Sequence, residues 1–349
     1  MADLVLPTTM QTLLHDQQRQ TLSIQTTPLP TLQPREHLIK VDAVGLTATE
    51  LLWTRPPSLN VSVPGVDVVG RIVVAPPSSK FQPGAEVYAR TTFPRPGSAR
   101  EYSVALEEEL AFKPKTMSAV EAAAVPVSAL TAWQALFDHA GLTPPDQTTP
   151  GQSEPGNQVR ILINGASGGV GIWATQLAKA AGAYVIGTCR GPANVGLVRE
   201  LGADEVLDYT VQRPQQWVEE DPRGRQVDLV LDCAGGTSER ESWYTVKEGG
   251  QVISIVPPAD MDYKSVLERP HGVSDTITGK FFVMHPDGEC LGRVASLIDD
   301  GEAKAVVDSV WTLGQYEQAF AKVESGHPRG KVVLRIGEQK ETRKTGDVV

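Results

Sequence analysis

Alternating apolar and polar positions in the first third of the chain predict short strands separated by turns. Residues 38–44 alternate in this way, and residues 66–74 form a second such run directly after Pro64 and Gly65. A third run, residues 86–89, follows another Pro-Gly turn. Short strands broken by glycine and proline at this spacing are typical of a small β-barrel.

From about residue 118 the pattern changes to helices that alternate with apolar runs. Ser118 and Glu121 have the spacing of a capping box and predict the start of a helix. Helices are also predicted at residues 170–181 and 194–201. Buried strands are predicted at four β-branched runs, residues 159–164, 183–188, 227–233 and 251–256. This alternation predicts a parallel sheet covered by helices on both faces. A stretch rich in Pro, Gly, Gln and Thr at residues 143–157 predicts a surface loop.

Composition excludes several classes of protein. The 349 residues are 40% hydrophobic and suffice for about two domains. The net charge of −10 argues against nucleic-acid binding, which needs clustered basic residues. No stretch approaches the ~20 apolar residues of a membrane span. Three cysteines indicate a reducing compartment, and the N-terminus shows no basic region before an apolar run. We therefore expect a cytoplasmic protein.

A glycine-rich turn follows the first predicted buried strand. Residues 164–171 read Asn-Gly-Ala-Ser-Gly-Gly-Val-Gly, with Ala166 at the first position of the G-x-G-x-x-G pattern and Gly168 and Gly171 at the other two. Such a turn lets backbone approach a pyrophosphate, and the helix that follows directs free N–H groups at the anion. Its place between a strand and a helix predicts a dinucleotide-binding site.

The end of the second strand of this unit indicates which dinucleotide binds. Residues 188–191 read Thr-Cys-Arg-Gly, so no acid is present to accept from a ribose 2′-hydroxyl. Arg190 instead supplies a charge that suits a 2′-phosphate, and NADPH is favoured. The alternative is that Arg190 is a solvated charge at the end of a strand.

Together these motifs resemble the zinc-free medium-chain dehydrogenases/reductases, close to quinone oxidoreductases and fungal trans-acting enoyl reductases. The resemblance extends from about residue 38 to residue 336. It rests on residues 41–51, 64–70, 84–88, 97–104, 125–136, 162–171, 201–209, 228–236, 249–256 and 326–334. It implies an α/β fold in which a GroES-like β-barrel catalytic domain is combined with a Rossmann domain, a doubly wound parallel sheet that binds the nucleotide. The implied domains are residues 1–125 (catalytic), 126–287 (NADP-binding) and 288–349 (a return to the catalytic domain and a charged tail).

The resemblance also implies which residues line the cofactor. These are Ala166, Ser167, Gly168, Gly169 and Val170 at the pyrophosphate, Arg190, Asn194 and Tyr209 around the 2′-phosphate, Ile255 and Val256 near the carboxamide, and Lys331 from the barrel side. Thr131 matches a position near the nicotinamide. From the pattern alone, Thr131 is an ordinary helix residue and Lys331 a solvated charge.

Zinc-dependent members of the family resemble this chain in fold but have metal ligands that it lacks. Their first thiolate would fall around Leu46 and Thr47, and their Gly-His-Glu around residues 64–66, where no side chain can bind zinc. No metal is therefore expected. A metal-assisted oxidation of alcohols is disfavoured, because nothing would acidify the hydroxyl.

The chain departs from its relatives in the predicted active site. Residues 47–50 read Thr-Ala-Thr-Glu where many relatives have Asn-Pro-x-Asp, and residues 51–57 contain no tyrosine that could donate a proton. The candidate catalytic residues are Thr47, Glu50 and Thr131, and the proton donor is unassigned. The candidates for the wall of the substrate pocket are Trp53, Thr131, Phe281 and Phe282, each of which also suits a packing role.

The resemblance implies transfer of hydride from NADPH to an activated C=C bond of an enoyl group, an α,β-unsaturated carbonyl or a quinone. The substrate would be a small molecule, and fungal secondary metabolism would supply a polyketide-derived or carrier-bound enoyl chain. The alternatives are a carbonyl or quinone reductase of the same family and a catalytically silent NADPH-binding protein. We expect no nucleic-acid or membrane partner and a monomer or homodimer. A final strand at residues 280–284 would either extend the sheet across a dimer or end it internally.

Overall fold

The computed structural model describes residues 5–53, 55–147, 158–257 and 267–337. Most of the predicted loop at residues 143–157 and the charged tail beyond residue 337 lie outside these ranges. Within them, strands β1 to β16 are Thr9–Asp16, Thr21–Pro28, Glu36–Leu46, Val61–Ser62, Asp67–Val74, Glu86–Arg90, Tyr102–Leu106, Leu110–Phe112, Arg160–Asn164, Tyr184–Cys189, Glu205–Asp208, Val227–Asp232, Val246–Ser254, Thr278–Phe281, Val307–Thr312 and Lys331–Arg335. Helices α1 to α9 are Ala119–Ala123, Pro126–Trp133, Gly169–Ala180, Gly191–Glu200, Pro214–Glu220, Pro222–Arg225, Gly236–Ser242, Gly288–Asp299 and Tyr316–Glu324.

The strand-rich part is completed by the C-terminal end of the described chain. Its larger sheet has the order β15-β16-β3-β5-β6-β8, with β7 also paired to β3, and a smaller sheet has the order β2-β1-β4. The late strand β16 lies antiparallel to β3, with Val332 opposite Leu46. Ile39 and Val68 of these strands are fully buried, and Phe81, between β5 and β6, belongs to the same core cluster. The three strands predicted here correspond to β3, β5 and β6.

The second part is a six-stranded parallel sheet in the order β11-β10-β9-β12-β13-β14. The chain winds outward from β9 in one direction and then from β12 in the other. The carboxyl ends of β9 and β12 therefore form the topological switch point, where parallel sheets bind ligands. The predicted doubly wound sheet is present.

Several element boundaries differ from the predicted ones, and three of these differences affect residues predicted for the site or the sheet edge. Helix α4 begins at Gly191 rather than at residue 194, because Pro192 occupies its first turn, where a missing N–H group costs nothing. Strand β13 ends at Ser254, so Ile255 and Val256 follow the strand rather than belong to it. Strand β14, at the edge of the described sheet, covers Thr278–Phe281, whereas the predicted strand covered residues 280–284.

The two parts meet across a continuous core. The Tyr88 hydroxyl of the barrel donates to the Leu291 carbonyl of α8 at 2.6 Å, and both residues belong to the cluster that also contains Trp173 of α3. At the surface, Gly168 and Gly330 form a parallel bridge, and the Gly330 N–H donates to the Ser167 carbonyl at 3.1 Å. The loop before β16 thus rests directly on the glycine-rich turn. The predicted domain boundaries at residues 125/126 and 287/288 remain predictions.

Helix length gives one further result. In the part of the chain that the structure describes, no helix has both the length and the apolar character needed to cross a bilayer.

Close packing of α3 on β9 generates a prediction about stability. A Cβ atom at Gly171 would lie 2.2 Å from the Gly165 carbonyl oxygen and 2.6 Å from the Ala166 Cα, whereas one at Gly196 of α4 would meet nothing within 4 Å. We expect Gly171→Ala to lower the free energy of unfolding by about 2–3 kcal/mol through overpacking. The matched change Gly196→Ala should raise it by about 0.5–1 kcal/mol. Urea unfolding measures both, and equal effects would contradict the packing argument.

Candidate functional site

The glycine-rich turn has the geometry of a phosphate-binding site. Gly165 leaves β9 with φ of 68°, and the Ala166 N–H donates to the Thr188 carbonyl at 2.9 Å. Helix α3 then begins at Gly169, so its first turn presents N–H groups that have no partner inside the helix. A Cβ at Gly169 would approach Ser128 Oγ to 3.0 Å and Lys331 Cδ to 3.3 Å. The backbone here fits a pyrophosphate, and Val170 lies half-buried beside it.

The residues predicted to surround a 2′-phosphate lie together at the ends of β10 and β11. The exposed Arg190 guanidinium lies 6.0 Å from the centre of the Tyr209 ring, and the Asn194 amide donates to the Arg190 carbonyl at 2.7 Å. His327, from the loop before β16, has Nε2 3.4 Å from Arg190 Nη1. That histidine was not among the predicted site residues, because only the folded chain brings it here.

A carboxylate also lies near Arg190. Asp208, at the end of β11, accepts from the Gly191 N–H at 3.0 Å and from the N–H and hydroxyl of Thr210 at 3.0 and 2.7 Å. These bonds lower the pKa of Asp208, and Arg190 adds a smaller effect. Because the neighbouring residues Gly191 and Thr210 supply these donors, the Asp208 carboxylate is already engaged and is not free to accept from a ribose hydroxyl.

A buried polar network, which the sequence analysis missed, links the strand ends next to the glycine-rich turn. Asp232, at the end of β12, accepts from the Ser254 hydroxyl at 2.9 Å, the Gly235 N–H at 3.0 Å and the Asn164 amide at 3.2 Å. Burial raises the pKa of Asp232, and these donors oppose the shift. Thr188 joins the network by donating to Asn164 Oδ1 at 3.3 Å. The network ties together β9, β10, β12 and β13 at the switch point.

The predicted carboxamide contacts adjoin this network. The Ile255 N–H donates to the Asp232 carbonyl at 3.1 Å, and the Val256 N–H donates to Ser254 Oγ at 3.2 Å. Both side chains are half-buried, at the same edge of the sheet as the glycine-rich turn.

Across the cleft, an ammonium group is buried between the two parts. Lys331, the first residue of β16, is 5% exposed, and its Nζ lies 3.1 Å from Asp67 Oδ2 and donates to Thr47 Oγ1 at 3.0 Å. Asp67 is fully buried and accepts from the Val127 N–H at 2.8 Å. Burial raises the pKa of Asp67, and the Lys331 charge opposes that shift. Lys331 is therefore a buried member of the site and not a solvated charge. We call Thr47, Glu50, Asp67 and Lys331 the cleft cluster.

Glu50 is the second carboxyl of the cleft cluster. Its Oε2 accepts from the Gly65 N–H at 3.2 Å, and Oε1 is buried without a hydrogen-bond partner among the described residues. Burial raises the pKa of Glu50 to about 8, although the Lys331 charge opposes the shift. The turn that presents Glu50 contains Thr49 with φ of 64°, a left-handed conformation that a threonine seldom adopts. Such strain is commonly retained at functional sites.

The other predicted pocket residues have different surroundings. Thr131 is buried and donates its hydroxyl to the Val127 carbonyl at 2.6 Å. The N–H of the same Val127 donates to Asp67. Trp53 is half-buried, edge-on to Phe93 at 5.4 Å. Phe281 and Phe282 are both buried, and the Phe282 ring packs 4.3 Å from His139 in the core. Phe282 thus has a packing environment, and its place in a pocket wall remains a prediction.

The residues of the cleft do not fit a zinc ion. Within the four described ranges of the chain, no group of three or more His, Cys, Asp or Glu side chains could hold a metal. Thr47 and Val66 stand where zinc-dependent relatives would have ligands, and the Lys331 ammonium between Thr47 and Asp67 would repel a dication. Burial raises the pKa values of the Cys189, Cys233 and Cys290 thiols, and none of the three belongs to the cleft cluster.

Comparison with known proteins decides the family. A family model described as "Zinc-binding dehydrogenase" matches residues 201–334. The chain is 42% identical, over 95% of its length and 98% of the relative's, to a "Probable zinc-binding oxidoreductase, mitochondrial" of Arthroderma benhamiae. The chain belongs to the medium-chain dehydrogenase/reductase family. Two more relatives are a "Chloroplast envelope quinone oxidoreductase homolog" of Arabidopsis thaliana (35% identical, covering 88% of this chain and 92% of the relative) and "NAD(P)H oxidoreductase RTN4IP1, mitochondrial" of Danio rerio (33%, 88% and 86%).

A solved structure matches the fold of this medium-chain dehydrogenase/reductase. The quinone oxidoreductase from Coxiella burnetii superposes with a TM-score of 0.75 at 24% identity, covering 94% of this chain and all of the other. The predicted combination of a GroES-like barrel and a Rossmann sheet is confirmed, as is the predicted family. The protein is an oxidoreductase of the quinone and NAD(P)H oxidoreductase group, and these relatives support a nicotinamide cofactor.

The predicted cytoplasmic location is wrong. The relatives from Arthroderma benhamiae and Danio rerio are named mitochondrial, and the one from Arabidopsis thaliana is named for the chloroplast envelope. The cysteine content could not reveal this, because a small number of free thiols is compatible with the cytosol and with the interior of an organelle alike.

The buried ion pair generates a prediction about stability. Asp67→Asn leaves the Lys331 ammonium buried without a counter-charge, and we expect it to lower the free energy of unfolding by about 3–5 kcal/mol. The double change Asp67→Leu with Lys331→Met removes both charges and should recover most of that loss. Denaturant titration of the three proteins measures the difference. A double variant no more stable than Asp67→Asn would contradict the assignment of the loss to an uncompensated charge.

Proposed function

We propose that the protein is an NADPH-dependent reductase of activated C=C bonds, in α,β-unsaturated carbonyls or quinones, and that it works without zinc. The observation that carries this proposal is the approach of the cleft cluster to the glycine-rich turn: the stem of Lys331 adjoins Gly169, while its ammonium binds Thr47. Hydrogen-bond donors, rather than a set of metal ligands, are therefore available beside the cofactor site.

The preference for NADPH is supported by the charges at the end of β10. Arg190 and Tyr209 lie side by side in the exposed region where a 2′-phosphate would bind, and His327 lies beside them. The carboxylate of Asp208 interacts with Arg190, but it is engaged by Gly191 and Thr210. A 2′-phosphate with two negative charges would thus meet hydrogen-bond donors here rather than a carboxylate with free oxygens.

The residues of this chain would bind and orient the reactants. The first turn of α3 would hold the pyrophosphate, and Ile255 and Val256 would face the carboxamide. When bound, the reduced nicotinamide supplies a hydride. Reduction of an activated alkene by hydride leaves negative charge on the conjugated oxygen, which needs a hydrogen-bond donor in a site with little water. The Thr47 hydroxyl would be such a donor, supported by the Lys331 ammonium that binds it, and orientation in the cleft would supply the remaining advantage.

A substrate panel tests the proposed function. The enzyme is given NADPH with an enone, a quinone and a simple aldehyde, and the products are identified. A saturated carbonyl product from the enone supports the reduction of C=C bonds. Formation of an alcohol would support the alternative carbonyl reductase. Tight NADPH binding without turnover on any of the three compounds would support a silent binding protein. Action on a carrier-bound polyketide chain remains a prediction.

The cofactor preference has its own prediction. Arg190→Ala removes the guanidinium from the 2′-phosphate region, and we expect binding of NADPH to weaken by about 1–3 kcal/mol, as for the loss of a charge-assisted hydrogen bond. NADH binding should be unchanged. The matched control is Arg199→Ala, at the opposite end of α4. Fluorescence titration with both cofactors measures the effect, and equal weakening of NADH and NADPH would refute a role specific to the 2′-phosphate.

A further inference from the structure

One of the two carboxyl groups of the cleft cluster carries a proton, and cofactor binding does not require that proton. One ammonium faces two buried carboxyls, and it contacts Asp67 rather than Glu50. Asp67 also receives the Val127 N–H, whereas Glu50 receives only backbone donors, from Gly65 and Thr47, and no ammonium contact. An isolated buried carboxylate is costly, so the group with fewer charge partners keeps its proton. Glu50 is therefore the acid of the pair at neutral pH.

Thr47 connects this acid region to the cleft. Its hydroxyl oxygen accepts from Lys331 Nζ at 3.0 Å, which leaves its own hydrogen free to donate elsewhere. Thr47 is half-buried, while Glu50, Asp67 and Lys331 are buried, so Thr47 is the member of the cleft cluster that a substrate can reach. The stem of Lys331 adjoins Gly169, which sets this hydroxyl near the phosphate-binding turn.

We propose that the Thr47 hydroxyl is the proton donor of the reduction, that the Lys331 ammonium restores its proton, and that Glu50 holds the replacement. This inference rests on the proposed function and assigns the donor that the sequence left open. Thr47 touches the substrate and is a catalytic residue; Lys331 and Glu50 act through it.

The step balances in atoms and electrons. The alkene gains a hydride, with two electrons, at its β-carbon from the reduced nicotinamide. The O–H bond of Thr47 breaks as a C–H bond forms at the α-carbon, or as an O–H bond forms on a quinone oxygen. A proton from Lys331 Nζ returns to the Thr47 oxygen, the Glu50 carboxyl proton reaches the Lys331 amine through water because the two groups are not in contact, and solvent reprotonates Glu50. The net change is one hydride and one proton added to the substrate.

The charges around Glu50 define the dependence on pH. Lys331 of β16 and Asp67 of β5 face its carboxyl, and the buried Arg55, which donates to the Pro94 carbonyl at 2.8 Å, interacts with it at longer range. Arg90 faces Asp67. Because burial raises the pKa of Glu50 to about 8, the proton-bearing form is present below that pH and is lost above it. We expect kcat to fall as the pH rises through about 8.

Two variants and a matched control test the proton path on the full chain, with NADPH and an enone. Thr47→Val should lower kcat on the order of 100-fold, the usual contribution of a positioned acid, with little change in the KM for NADPH. Thr21→Val, which removes an exposed hydroxyl of strand β2 outside the cleft cluster, should leave kcat unchanged. Glu50→Gln should lower kcat by a smaller factor and abolish its fall at alkaline pH. Wild-type kcat in Thr47→Val, or an unaltered pH profile in Glu50→Gln, would overturn the proposal.

A spectroscopic measurement separates this proposal from the proposed function. The infrared difference between wild type and Glu50→Gln, recorded without substrate or cofactor, should show a protonated carboxyl band that disappears as the pH rises through about 8. A carboxylate band already at pH 6 would overturn the role of Glu50. Absence of turnover by the wild type on every enone and quinone would defeat the proposed function, while the infrared titration would still decide the state of Glu50.

Discussion

The contact between the Lys331 ammonium and Asp67 joins β16, near the C-terminal end of the described chain, to β5 and sets the character of the cleft. Removing an ammonium from water is unfavourable unless a counter-charge and further hydrogen bonds compensate, and Asp67 and Thr47 provide both. This contact accounts for three properties of the site. The ammonium repels a dication, and it uses the Thr47 hydroxyl as a hydrogen-bond acceptor. Because it contacts Asp67, the neighbouring Glu50 has no ammonium in direct contact.

On the opposite side of the cleft, geometry rather than charge defines the site. Gly165 and Gly171 allow β9 and α3 to approach so closely that a side chain at residue 171 would overlap the turn. The network centred on Asp232 holds the ends of four strands at the same level. A site for an extended cofactor needs both, because the phosphate-binding turn and the segment after β13 must remain at a fixed separation.

Local patterns predicted most of the architecture. The capping box at Ser118 and Glu121 forms as expected, with Glu121 N–H donating to Ser118 Oγ at 3.3 Å, and the β-branched runs became the strands of the parallel sheet. Boundaries were less accurate where a proline or a strand pairing decided them, as at Pro192 and Phe281. The cleft cluster could not be predicted from periodicity, since Thr47 and Lys331 are 284 residues apart in sequence. The family resemblance predicted Thr47, Glu50 and Lys331 one by one. Asp67, Asp232 and His327 could be assigned to the site only from the folded chain.

Strand β16 adds a consequence for the order in which the enzyme matures. The parallel sheet and its glycine-rich turn are encoded before β16, whereas the ammonium and the loop that covers the turn belong to the last strand of the barrel. During synthesis strands β1 to β8 and then the parallel sheet emerge before β16, and domains generally fold as they emerge. A nascent chain therefore completes its glycine-rich turn before it acquires the Lys331 ammonium and the loop that lies on that turn.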